Sequence, residues 1–245
     1  NYALNVGPDG LGRFPEGTVR VLEELGEWMD ANAEAIHDTE ATPWSHDLPT
    51  GPVTRAPKRL YLHLHNWPEK ELSLVGLSTP VKSAQLLGQP DQPLQVEQSP
   101  AEGWQPPRIH IDLPVLAPKG ELPVVRLDLS DEAEVEPGLL QQADGSLYLP
   151  ATSANTTLAR SPLGTVEGWH TPKGELVWRF RVHQPGSFEV RLLTSALWHS
   201  APWEGGHLVQ LEVARQRLTA RLEADEVIEN AATSCYALAA SSCGR

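Results

Sequence analysis

Cysteine is almost absent from this chain of 245 residues, which holds only Cys235 and Cys243, both near its C-terminal end. Two thiols at that spacing match no structural zinc site, which takes four ligands. A disulfide between them would suit an oxidising compartment and two free thiols would not require one, so cysteine leaves the compartment open. Long apolar runs are missing too: Pro, Gly and charged residues break every hydrophobic stretch well short of the ~20 residues that span a bilayer as a helix. Basic residues are in the minority, 19 Lys and Arg against 32 Asp and Glu, for a net charge of −13. So acidic a chain has no electrostatic footprint for nucleic acid or an anionic membrane, and neither is expected as a partner. There is no Gly-x-Ser-x-Gly turn to present a nucleophilic serine, no internal repeat, no low-complexity tract and no visible signal peptide.

What is present points to packed β structure. Hydrophobic residues make up 40% of the chain, enough for cores and too many for disorder. The chain opens on Asn1 rather than Met, within an apolar strand pattern, Tyr2-Ala3-Leu4-Asn5-Val6. The turn Gly7-Pro8-Asp9-Gly10 follows, and Pro15 then sits where a helix can begin without missing its N–H. Val19, Leu22, Leu25, Met29 and Ile36 keep helical spacing, with Glu23, Glu24, Glu27 and Asp30 on the other face. The helix fades at His37-Asp38-Thr39 and Pro43 stops it. One strand and one helix cannot bury their own apolar faces. Residues 1–44 are therefore expected to be the end of a larger domain.

A Pro/Gly-rich connector over 45–58 leads to short alternating segments at 60–64, 72–77, 81–87, 94–96, 109–113 and 124–129. Turn signals at this spacing predict an antiparallel β-sandwich over 45–130. The acidic run Asp131-Glu132-Ala133-Glu134-Val135-Glu136 before Pro137-Gly138 reads as a solvated linker, 131–143. A second sandwich is expected over 144–245, from segments at 146–149, 175–182, 187–193 and 208–213, without an obvious closing strand.

Few residues suggest chemistry. His63 and His65 alternate onto one strand face, and with Asn66 or Asp47 they could approach a zinc ligand set; a polar outer face or a domain contact explains them more simply. His199 and His207 lie in a Trp-rich loop with no partner at ligand spacing. Asp9 is a turn residue.

Asn1-Tyr2-Ala3-Leu4-Asn5-Val6-Gly7-Pro8-Asp9-Gly10-Leu11-Gly12-Arg13, followed by Leu25-Gly26-Glu27-Trp28 and Asn32-Ala33-Glu34-Ala35-Ile36, resembles the end of the catalytic barrel of α-L-fucosidases, glycoside hydrolase family 29. Leu60-Tyr61-Leu62-His63-Leu64-His65-Asn66-Trp67-Pro68 and Val81-Lys82-Ser83-Ala84-Gln85-Leu86-Leu87 resemble the start of that family's C-terminal β-domain. Val166-Glu167-Gly168-Trp169 and Val177-Trp178 look, more weakly, like an appended sandwich of some bacterial members. Ala33 stands where the family usually has Gly, and His37 where it often has Tyr.

The resemblance implies a mainly β chain: the last βα unit of a truncated TIM barrel, then two antiparallel sandwiches, the second incomplete. It implies the C-terminal part of a retaining exo-glycosidase acting on fucosylated glycans, secreted or periplasmic, with no cofactor or metal. Its two carboxyl groups would lie before Asn1, so no catalytic residue is expected in this chain, and the chain alone should be inactive. Asn5, at the strand end that faces the catalytic side of such barrels, would line the fucose pocket behind the reacting groups, or simply cap the following turn. Trp28 and Trp67 match packing positions of the family, and Trp178 and Trp169 read as core. Trp104, Trp198 and Trp203 fall in loops and are candidates for stacking on sugar rings. A non-catalytic reading stands beside this one: a carbohydrate-binding module, or sandwiches that brace a barrel or an oligomer.

Overall fold

The computed structural model describes residues 6–46, 48–65, 67–68, 71–89, 92–118, 122–160, 166–167, 174–195, 206–222, 226–230 and 233–240. They form two compact units, Asn1–Gln184 and Pro185–Arg245. This division falls well after residue 144, where the sequence pattern starts the second sandwich.

The expected turn and helix open the first unit. Asp9 Oδ1 accepts the backbone N–H groups of Leu11 and Arg13 at 2.8 and 2.9 Å. These bonds hold its carboxyl below the ordinary range and commit it to shaping the turn. Helix α1 (Glu16–Asn32) starts after Pro15, whose φ of −58° suits that position. It ends earlier than the apolar spacing suggests. Asn32 turns its amide back onto Trp28 O at 2.9 Å, and the chain tightens into a 3-10 turn, Ala33–Ala35, then leaves through Asp38 in the left-handed region. Only the C-terminal half of α1 touches the sheet below it. Val19, Val21 and Leu25 are exposed, whereas Trp28 packs among Ala35, Ala56, Tyr61, Leu87 and Val124 and donates to Leu122 O at 3.0 Å.

The strands after α1 are β1 (Glu40–Ala41), β2 (Val53–Ala56), β3 (Arg59–His63), β4 (Glu71–Val75), β5 (Val81–Leu86), β6 (Pro93–Leu94), β7 (Val96–Ser99), β8 (Arg108–Asp112) and β9 (Val124–Leu129). Six of them pair antiparallel in the order β1-β2-β3-β9-β5-β6, and β4-β8-β7 form a second sheet. Alternation sends Leu60, Leu62, Ala84, Leu86, Val125 and Leu127 inward from the first sheet, against Leu72, Leu74, Ile109 and Ile111 of the second. Two antiparallel sheets thus share one apolar core. Each buried Leu contributes roughly 2 kcal/mol. The connector over 45–58 does more than connect: Leu48 and Val53 are core residues, as is Trp44 just before it, and β2 is built from its end.

The acidic run is stitched to the sandwich rather than free. Ser78 N donates to Glu134 O and Glu136 N to Gly76 O, both at 2.8 Å, while Thr79 Oγ1 donates to Glu132 O and accepts from Glu134 N. The carboxylates of Asp131, Glu132 and Glu134 still face solvent, so the composition describes the surface of this strip and not its backbone pairing. Beyond it, β10 (Leu139–Leu140) pairs with β13 (Phe180–Arg181) in parallel, and β11 (Ala159–Arg160) pairs with β12 (Val166–Glu167). The strand expected over 175–182 is regular only at Phe180–Arg181, with an isolated bridge from Val177 to Asn155. Trp178 is half-buried, its indole bonded to Pro150 O at 2.9 Å, rather than deep in a core.

In the second unit, β14 (Val190–Ser195), β18 (Thr233–Ala240) and β17 (Glu226–Asn230) form one antiparallel sheet in that order, and β15 (Leu208–Val213) forms a hairpin with β16 (Gln216–Arg221). The sequence shows no closing strand here, yet β18 pairs on both sides. Its run Thr-Ser-Cys-Tyr-Ala-Leu-Ala-Ala holds small residues with little strand preference, so backbone pairing rather than pattern defines it.

Candidate functional site

Of the candidate stacking residues, the described one, Trp104, lies in the turn between β7 and β8. Glu102 and Gln105 exchange both backbone hydrogen bonds, at 3.1 and 2.9 Å, around Gly103-Trp104. Gly103 has φ +57° at the first central position, as a type II′ turn requires. The turn is braced from below by Arg108 Nη2, which donates to Gln105 Oε1 at 2.5 Å. Trp104 rides at its tip with 83% of its surface open to solvent. A fixed backbone thus presents a large apolar indole face to water.

His63 belongs to packing. It is 8% exposed, beneath the end of α1. Its Nε2 lies 3.1 Å from Thr54 Oγ1, which itself donates to Ala35 O at 2.7 Å. The hydroxyl proton is thereby used, so His63 holds its own proton on Nε2 and donates. Burial, then the nearby His65, pushes its pKa down and keeps the ring neutral. Among the described residues no group of three His, Cys, Asp or Glu could hold a metal ion.

Beside His63, Glu34 joins the end of α1 to the sheet. Its carboxylate accepts from Tyr61 Oη and Arg126 Nη1, each at 3.2 Å, and Arg126 Nη2 also meets Asp128 Oδ2 at 3.1 Å. Arg59 Nε reaches Asp128 Oδ1 at 3.2 Å. Sequence reasoning missed this network. The signal was the alternation itself, which puts Arg59, Tyr61 and His63 on the face opposite Leu60 and Leu62.

Most of the other candidates cannot be placed relative to Trp104. Asn5, Trp198, Trp203, Trp169, His199, Asp47 and Asn66 lie outside the described residues. His65 is exposed, and His207 is exposed in the second unit. Trp67 packs against the sandwich core and bonds Pro114 O at 3.1 Å.

No family model matches the sequence, and no curated protein matches it. Solved structures do. The crystal structure of alpha-L-fucosidase from Vibrio sp. strain EJY3 superposes with a TM-score of 0.76 over 96% of this chain, at 23% identity. In fold, the chain is similar to part of an alpha-L-fucosidase. It spans 40% of that protein's length. Alpha-L-fucosidase isoenzyme 1 from Paenibacillus thiaminolyticus matches 52% of this chain and 30% of its own, at 29% identity and a TM-score of 0.46. An alpha-L-fucosidase GH29 from Bacteroides thetaiotaomicron matches 52% of this chain and 28% of its own, at 20% identity and a TM-score of 0.43.

Proposed function

We propose that this chain is the C-terminal part of a retaining alpha-L-fucosidase that cleaves α-linked fucose from oligosaccharides or glycoconjugates. In this reading residues 1–44 are the last βα unit of a catalytic TIM barrel that precedes Asn1, and the sandwiches follow it. Hydrolysis with retention takes two carboxyl groups about 5 Å apart, one attacking the anomeric carbon and one protonating the leaving oxygen and then deprotonating water. Both belong to the preceding part. The observation that carries the proposal is the fold likeness to the Vibrio fucosidase over 96% of this chain, reached independently of the residue resemblance in 1–39. The exposed apolar face of α1 supports it, since a helix of a closed barrel covers its sheet with such a face.

The test compares residues 1–245 with the longer polypeptide encoded with them, on an aryl α-L-fucoside. The longer protein should release the aglycone with retention at the anomeric carbon, and residues 1–245 alone should release none. Turnover by 1–245 would overturn the placement of the carboxyl groups, and an inactive longer protein would overturn the fucosidase reading.

A contribution to glycan contact within this chain is favoured by the exposure of Trp104. Trp104→Ala should weaken retention on immobilised fucosylated oligosaccharide about tenfold, in line with the ~1–1.5 kcal/mol of an aromatic contact, and leave the melting temperature unchanged. Unchanged retention would assign the sandwich to bracing.

A further inference from the structure

Three buried side-chain nitrogens in the first unit lack a hydrogen bond among the described residues; Arg55 Nε lies on β2, and Arg108 Nε and His183 Nε2 lie at one corner of the fold. The topology converges on the latter two. Arg108 opens β8 opposite Val75, and the adjoining Gly76 donates to Pro107 O at 2.9 Å and accepts from Glu136 N at 2.8 Å. Glu136 is ion-paired with Arg181, which lies opposite Leu140 in the β10–β13 pair and two residues before His183. Gln141 fixes the last strand of this corner: its Oε1 accepts from His183 N and Gln184 N at 3.1 and 2.8 Å, and its Nε2 donates to Gly145 O at 2.9 Å. His183 is 8% exposed.

Charge separates the candidate occupants. Arg181 is neutralised by Glu136, the partner of Arg108 among the described residues is the neutral Gln105, and both guanidinium groups act on the His183 ring. A buried water would satisfy the two nitrogens but would leave the surplus positive charge in place. An anion satisfies both. We propose that this corner is an oxyanion site that takes one carboxylate or sulfate group, held by Arg108 Nε and by His183 with its proton on Nε2. Burial and the two guanidinium groups keep His183 uncharged without ligand, so a bound anion should make the ring easier to protonate.

The inference stands whether or not the chain comes from a fucosidase. Its test uses the whole chain with sodium sulfate and sodium acetate, each against sodium chloride at equal ionic strength. Sulfate should raise the melting temperature along a saturating curve, and Arg108→Gln should shift the midpoint of that curve at least tenfold. A linear rise that Arg108→Gln leaves untouched would be general salting of the surface and would overturn the site. If that variant does not fold, the ring titration of His183 in the unaltered chain decides. An upward displacement on saturation with sulfate supports the site, and an unmoved titration rejects it.

Discussion

Gly51 shows how a single position can fix the fold. It has φ +136°, and a Cβ there would lie 1.9 Å from His63 O. The obstacle is backbone, which cannot rotate away. Gly51→Ala should destabilise the chain by about 2 kcal/mol or more, read as a lower midpoint in urea with an unchanged slope. His63 gives a second test at this scale. Its pKa is depressed in the folded chain and is about 6.5 when unfolded. Below that value the unfolded chain binds the proton more readily, so the stability supplied by the neutral ring is complete above about pH 6.5. It is lost as pH falls toward the depressed folded value, by at most about 1.4 kcal/mol per pH unit. His183 acts in the same direction. His63→Asn should therefore flatten the decline measured by urea unfolding between pH 7.5 and 5. An equal decline in the variant would remove His63 from the account. None of this was legible beforehand. The sequence left His63 between a polar outer face and a domain contact, and only the segment after α1 lying across that face makes it a buried donor.

At the scale of elements, β3 is the instructive case. Leu60 and Leu62 read correctly as core, because a period of two is visible in any half-buried strand. The burial of Tyr61 and His63 on the other face was not legible, because nothing in the local pattern reports a helix brought from twenty-odd residues upstream. Trp44 was missed for a related reason: it borders a Pro/Gly-rich stretch, yet it is 4% exposed and bonds Val75 O at 3.3 Å. The clamp at Glu34 joins the two elements. Glu34→Gln should lower stability by about 1 kcal/mol, since the groups are partly solvated, and Arg126→Met by a similar amount. The double variant should lose less than the sum of the two. Strict additivity would show that Glu34 and Arg126 do not act as a pair. Along the same helix, Val21→Glu with Leu25→Glu should reduce self-association in light scattering without lowering the melting temperature, because both side chains already face water. A fall in melting temperature would mean that they are packed.

The whole chain divides after Gln184, later than its composition suggests. The acidic run 131–136 looks like a boundary because charge and Pro-Gly usually mark one, but its backbone hydrogen bonds continue the sandwich. Such pairing leaves no trace in residue type. Residues 1–184 expressed alone should therefore unfold cooperatively near the temperature of the first transition of the full chain. A truncated piece without a cooperative transition would show that the first unit needs the second. The broad outline, a helix followed by a two-sheet sandwich, was readable from periodicity. The strands of the second unit beyond Val213 were not, because hairpins of small and charged residues carry weak patterns.

The Gly103-Trp104 turn also carries an optical label that stands apart among the described tryptophans. Of the tryptophans described, Trp28, Trp44, Trp67 and Trp178 are shielded by neighbours to varying degrees, and only the Trp104 indole stands in bulk solvent. Its emission should be the most red-shifted of these and the first quenched by iodide. A sugar ring laid on that indole would shield it from the quencher and shift its light toward the blue, so occupancy of the hairpin tip can be followed in solution without attaching a dye.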